Sequence, residues 1–303
     1  MMADTTPSST APAPLQPAMV PPTRARLVWR RLRRNWLSAG ALALIVLTAL
    51  AAALADWVAP YEPDETDAAA ALVAPSLHHW LGTDIYGRDL LSRIIHAGQV
   101  DLTVAFGATA LALVIGCSVG VVAGLYRGVV DLVIMRVVDS VMAFPAFILA
   151  MAITAALGNS VTNVLIAIAI TQIPNYLRLI RSEIFRIREM EYADAARVVG
   201  NPAWRIMFIH LLPNALPPII VQATLAMGYA LLTMAALSFI GLGIQPPQSE
   251  WGSMTAEGAQ YIVTGEWWLF LFPGLAIVLM VLSFNLIGDS LRDFLDPRMR
   301  GVR

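Results

Sequence analysis

Lysine is missing from this chain: all 20 of its basic residues are arginine. A Gly-x-x-x-x-Gly-Lys-Ser/Thr phosphate loop is therefore excluded, and with it that route to nucleotide hydrolysis. Cysteine is nearly absent. Cys117 stands alone in an apolar stretch, so no intrachain disulfide is possible and no redox compartment can be read. The four histidines are His78, His79, His96 and His210. No Cys/His clustering at metal-ligand spacing occurs, and no metal site is expected. Charge is scarce as well, at 14% of residues, with a formal net charge of −1.

What fills the chain instead is apolar. Hydrophobic residues make up 58% of the 303, and the mean hydropathy is +0.68, values that point to a bilayer as solvent. Six apolar runs are long enough to cross hydrocarbon: 36–57, 102–125, 137–157, 161–177, 216–240 and 268–287. The predicted fold is an all-α integral membrane protein of six transmembrane helices. Arginine placement orients it. Six arginines lie between Arg24 and Arg34. Arg127 and Arg136 follow the second run, another six fall between Arg178 and Arg205, and Arg292, Arg298, Arg300 and Arg303 close the chain. The remaining loops hold only Arg88 and Arg93. Both termini and the central loop are thus expected in the cytoplasm.

The expected organisation follows. Residues 1–23, with six prolines among Ala, Ser and Thr, read as a disordered cytoplasmic tail, and 24–35 as a basic juxtamembrane segment. Ala53-Leu54-Ala55 resembles a signal-peptidase site, but the long tail and long apolar run favour an uncleaved first span. Residues 58–101 read as a periplasmic loop, acidic at Glu62, Asp64, Glu65 and Asp67. Leu90, Leu91, Ile94 and Ile95 suggest a short helix on the membrane surface there. That loop is either a structural lid or a contact for substrate or a binding protein. The core is 102–297, with a second periplasmic loop at 244–267 whose Glu250 looks like an exposed carboxylate; 298–303 is a cytoplasmic end. Gly116, Gly120 and Gly124 sit four apart on one face, a pattern for close helix packing.

The stretch 178–214 stands out as polar between two spans. Tyr192 to Val199 is rich in alanine and predicts a helix; Gly200 can end it in the left-handed conformation. Asn201 and Pro202 suit the N-cap and first position of a second helix carrying Trp204, Ile206, Met207 and Phe208. Pro213, Pro217 and Pro218 are expected to break or bend the chain as it re-enters the bilayer. Ala195 and Ala196 would leave a smooth face for a groove.

Glu191-Tyr192-Ala193-Asp194-Ala195-Ala196-Arg197, then Gly200, then Leu212-Pro213, resembles the EAA loop of bacterial ABC importer permeases. Asp194 stands where the name-giving Glu would be. Three further blocks resemble the dipeptide/oligopeptide/nickel branch, and most of all its C-type dipeptide subunit. These are Gly82-Thr83-Asp84 with Gly87-Arg88-Asp89; Gln245-Pro246-Pro247 with Glu250-Trp251-Gly252; and Phe284 to Pro297. At Gln99 and Asp101 the chain departs from the Arg and Ser usual in that branch. The resemblance implies a type I importer bundle whose central loop docks on ATP-binding subunits. It also implies a heterodimer with a second homologous permease subunit, two ATP-binding subunits that bind ATP and Mg, and a periplasmic or lipid-anchored substrate-binding protein. The cargo would be a di- or oligopeptide, or a related solute such as a nickel chelate. This chain would bind no cofactor, catalyse nothing itself and contact no nucleic acid.

Two rival readings stay open at this point, beside a weaker third, a scaffold with no transport role, which would leave the docking loop unexplained. An ion-coupled secondary transporter would place a carboxylate or histidine near the bilayer midplane. The runs here are nearly free of charge, and Asp139 beside Arg136 and Asp289 beside Arg292 read as structural pairs. An intramembrane enzyme would need a nucleophile near a base; Glu250 and Glu257 could flank such a site, but no nucleophile is recognisable beside them.

Overall fold

A computed structural model describes residues 36–295. The expected tail, the basic segment 24–35 and the end from 296 onward lie outside the described residues.

The described chain is helical. α1 (Trp36–Ala53) and a short α2 (Ala55–Val58) lead into a loop with one 3₁₀ turn at Ala68–Ala70. Next come α3 (Leu90–Tyr126), α4 (Gly128–Met142), α5 (Ala146–Leu157) and α6 (Val161–Arg188). α7 (Glu191–Val198) and α8 (Ala203–Arg205) follow, then a π-helical turn (Ile206–Leu211) that runs directly into α9 (Leu212–Phe239). α10 (Trp251–Ala259) and α11 (Trp268–Leu295) complete the bundle. Among the described residues five helices are long and apolar enough to cross a membrane, or six if α4 and α5 count as one broken span.

α3 packs along α6, and the three spaced glycines are the reason it can. An added Cβ at Gly116 would lie 2.7 Å from the Tyr176 Cβ. At Gly120 it would lie 2.3 Å from Ile180 Cγ2 and 2.6 Å from the Leu177 carbonyl oxygen, and at Gly124 2.9 Å from Ile184 Cγ2. Without side chains on that stripe the two backbones close to contact distance, which in lipid is a main source of helix association. The matched residues advance together along both helices, so α3 and α6 run parallel. α9 packs on α11 and on α3; α1 leans on α3 and α11; α10 is wedged between α9 and α11. Large apolar side chains on α1, α4, α5 and α11 point outward, among them Trp36, Leu47, Val133, Val137, Ile148 and Val278. In water such a surface would be costly; in hydrocarbon it is the expected one.

The structure corrects the expected boundaries in three places. The helix over Leu90–Ile95 is no separate surface helix. It is the start of α3, which runs unbroken for 37 residues, about 55 Å. Asp89 caps it, accepting the Ser92 N–H at 2.8 Å and the Ser92 hydroxyl at 2.7 Å. The expected span 137–157 is two helices meeting at 85°. Pro145 starts α5 with an extended ψ of 126°, and the residue before a proline is disfavoured in helix. α4 is held instead along α6, by Arg181–Asp131 at 2.5 and 2.6 Å and Arg178–Asp139 at 2.5 Å. Asp139 therefore pairs with Arg178 and not with its sequence neighbour Arg136. Last, Pro213, Pro217 and Pro218 do not break the chain. The π turn opens the hydrogen-bond ladder just ahead of Pro213, with the Leu212 N–H donating to the Met207 carbonyl. α9 then continues through the other two prolines without a break.

Candidate functional site

The polar stretch folds into a helix, a tight turn and a second helical segment at the end of the bundle where α3 and α6 finish. α7 closes in a Schellman motif. The Asn201 N–H donates to Ala196 O at 3.2 Å and the Gly200 N–H to Arg197 O at 2.9 Å, while Gly200 takes φ +82°. The Asn201 side chain, expected to cap the following helix, also turns back to Ala196 O at 3.2 Å.

α7 is tied to the bundle by a relay of arginines. Arg197 pairs with Asp194, and its guanidinium donates to the Arg188 carbonyl at 3.0 Å. Arg188 reaches the Gly124 carbonyl on α3 at 3.3 Å, and Arg127 holds Glu189 at 3.1 Å. A push on α7 thus meets the ends of α6 and α3 directly.

The face that α7 offers differs from the expected one. Ala193 and Ala196 are buried and pack into the core with Ile187, Ile206 and Met207. Glu191, Tyr192, Asp194, Ala195, Arg197 and Gly200 are exposed; Leu212 is half-buried and Pro213 exposed. Ala196 is therefore a packing residue. What the segment does present is apolar: Val198 is 88% exposed and Val199 80%, with Trp204, Phe208 and Ile209 also out. Sequence reading missed the valines. Their only signal was position, directly before the turn glycine.

About 55 Å away, at the start of α3, the other signature residues form a closed network. Asp84 is its hub, 2% exposed. It accepts Arg88 Nε and Arg93 Nη1 at 2.6 Å each, and the N–H groups of Tyr86 and Arg88 at 2.8 and 3.0 Å. Asp89 adds His79 Nδ1 at 3.0 Å to its capping bonds. Thr83 accepts from the Val73 N–H and donates to the Ala70 carbonyl, and its own carbonyl accepts the Trp268 indole N–H at 3.2 Å. Gly87 lies so close to Asp67 that an added Cβ would sit 1.8 Å from its carbonyl oxygen, and Gly82 is hemmed in by Val73 and Trp268. Both adopt positive φ. These residues clamp the 58–89 loop onto α3 and α11; the block has a structural explanation without any ligand.

The second outer block splits. Gln245, Pro246 and Pro247 are exposed. Glu250, expected to be exposed, is fully buried and caps α10 through both carboxyl oxygens, to the Gly252 and Ser253 N–H groups at 2.6 Å each. Trp251 is buried and donates to Ile94 O at 3.0 Å; Gly252 lies against Ala235 of α9. Glu257 lies 3.8 Å from Arg93. His96 engages Asp56 and the Ser92 carbonyl. Among the described residues no group of His, Cys, Asp and Glu could hold a metal ion.

The model of the binding-protein-dependent transport system inner membrane component matches residues 112–301, and that of the N-terminal transmembrane domain of oligopeptide transport permease C matches 23–75. The chain belongs to this permease family. It is a multi-pass inner-membrane component of a transport system. Among its relatives is the dipeptide transport system permease protein of Alkalihalophilus pseudofirmus, 45% identical over 275 residues, or 91% of this chain and 90% of the relative. The probable D,D-dipeptide permease of Escherichia coli is 42% identical over 277 residues, 91% and 92% of the two chains. The glutathione transport system permease of Pectobacterium atrosepticum is 38% identical over 276 residues, 91% of each. The buried clamp and the exposed α7–α8 segment lie toward opposite ends of α3, the clamp at its first turn and α7 tied to its last through Arg188 and Gly124.

Proposed function

We propose that this permease is the C-type subunit of an ATP-driven importer for di- or oligopeptides. It pairs with a second, homologous permease subunit, takes substrate from a binding protein on the clamp side, and is driven by two ATP-binding subunits on the α7 side. The α7 side is cytoplasmic, as the arginine distribution indicates. The observation that carries this reading is the α7 turn. An exposed apolar tip, Val198-Val199, stands on a helix whose far side is packed and whose last turn is wired through Arg197 to Arg188, and through Arg188 to Gly124. A tip of that kind inserts in a groove, and its base transmits movement. Closure of the ATP-binding subunits makes two packings of the bundle unequal in free energy, and the contact at α7 supplies the difference. Peptide cargo is supported by the relatives, among them a dipeptide and a probable D,D-dipeptide permease.

The test is reconstitution of the chain with its neighbouring transport genes in proteoliposomes. Uptake of labelled dipeptide that needs ATP and the binding protein is the expected result. Uptake of a nickel chelate in its place would correct the cargo alone. Uptake driven by an ion gradient without ATP would overturn the mechanism in favour of a secondary transporter.

A further inference from the structure

Two carboxyl groups from different elements converge on the first turn of α10. Asp101 of α3 accepts the Trp251 N–H at 3.2 Å; Glu250 accepts the next two, from Gly252 and Ser253. Asp101 is 1% exposed and Glu250 fully buried. Three consecutive N–H groups are thus satisfied by two acidic side chains where one cap ordinarily serves.

Among the described residues no cation balances them, and neither carboxyl takes part in an ion pair. Arg93 reaches the neighbouring Ser249 hydroxyl at 3.3 Å, but its Nη1 is bonded to Asp84. His96, on the same helix, is engaged by Asp56 and Ser92. α9 contributes Ser238 and has no charged residue; α1 has none either. α10 adds only Glu257, a further acid, and the charges of α11 (Asp289, Arg292 and Asp293) lie at its far end. A helix N-terminus supplies roughly half a positive charge, too little for two buried anions. A buried carboxylate without a partner ordinarily takes up a proton, and two that interact titrate as one unit.

We propose that Asp101 and Glu250 hold one proton in common near neutral pH, and that this proton fastens α10 to α3. The location gives it leverage. α10 touches α3 through Trp251, α9 through Gly252 and α11 through Gly258, whose Cβ position lies 2.3 Å from Leu269. Burial drives the Glu250 carboxyl above its ordinary range, against the opposing pull of its hydrogen bonds. A group raised in the folded state contributes stability that is complete at low pH and lost as pH rises through the folded value. α10 is therefore firm in acid and loosens toward alkaline pH. This goes beyond the importer reading and holds whatever drives the bundle.

The experiment uses the full chain in lipid nanodiscs. Infrared difference spectra across a pH titration report the carbonyl stretch of protonated carboxyl groups, and a thermal melt is run at each pH. The wild type is expected to show about one protonated carboxyl per chain at neutral pH. That signal and the melting temperature should fall together as pH is raised into the alkaline range. Asp101→Asn should lose the signal and flatten the melting profile, and Glu250→Gln should do the same. A wild type with no protonated carboxyl at neutral pH overturns the proposal, even if neither variant folds. So does a signal and slope retained in both variants.

Discussion

Arg93 and Asp84 meet at 2.6 Å, each 2% exposed, and the contact joins the first outer loop to the first turn of a span. Arg88 takes the same carboxylate oxygen at the same distance. One anion thus neutralises two buried guanidinium groups. Asp84→Asn keeps the shape and removes the charge, leaving Arg88 uncompensated and Arg93 with only Glu257 at 3.8 Å. Breaking a buried pair from one side costs about 3–5 kcal/mol. The expected outcome is a marked drop in melting temperature and yield in detergent. Glu65→Gln, on the exposed acidic part of the same loop, should stay within about 0.5 kcal/mol of wild type. Equal effects from the two would mean that the network is decorative.

Gly200 isolates a backbone requirement from a steric one. It holds φ +82°, and an added Cβ would meet nothing within 4 Å. Gly200→Val therefore costs only what the left-handed conformation costs a β-branched residue, at least about 1–2 kcal/mol. That energy is local and should distort the turn without unfolding the bundle. In the reconstituted complex, ATP-dependent uptake should fall while the melting temperature changes little. Asn tolerates this conformation, so Gly200→Asn should keep most of the uptake. Unchanged uptake in Gly200→Val would detach the turn from coupling.

Ala196 and Val198 separate packing from docking on the same short helix. Ala196 is buried beside Ile206 and Met207; Val198 is 88% exposed. Ala196→Arg drives a charge into the core, and the expected result is poor expression of the chain itself. Val198→Asp with Val199→Asp should leave the chain folded and reduce recovery of the ATP-binding subunits on co-purification. Normal recovery from the double variant would place the docking surface elsewhere, with Trp204 and Phe208 the next to examine.

Much of this fold was legible because bilayer-crossing needs length and apolarity, and both are properties of a run of residues. The glycine stripe was legible for the same local reason. The bend at Pro145 was not. Proline is absorbed at 174, 217 and 218 but ends a helix at 145, where ion pairs from Arg178 and Arg181 hold α4 along α6. Those partners are 39 and 50 residues away in sequence. The face presented by α7 depended likewise on its packing against α6 and the π turn, which leaves Ala193 and Ala196 buried. Glu250 misled for a chemical reason. A carboxylate after Gln-Pro-Pro-Gln-Ser reads as solvated, and Glu is not a favoured cap.

The contact of α3 with α6 permits a graded test of the glycine stripe. At Gly120 even a methyl group would lie 2.6 Å from the Leu177 carbonyl oxygen, and backbone cannot move aside as a side chain can. Gly120→Ala must push the helices apart, at about 1–3 kcal/mol for overpacking. Gly124→Ala meets only the branched side chain of Ile184, at 2.9 Å, which can shift, so its cost should be smaller. Gly40→Ala, on α1, meets nothing within 4 Å and should be neutral or slightly stabilising, since alanine is the better helix former. Melting temperatures in one detergent should fall in the order Gly40→Ala, Gly124→Ala, Gly120→Ala. Because α3 and α6 connect the clamp to α7, the Gly120 variant should also weaken ATP-dependent uptake beyond its loss of folded protein. An order that ignores the distance to backbone would mean that the two helices are held by something other than their close approach.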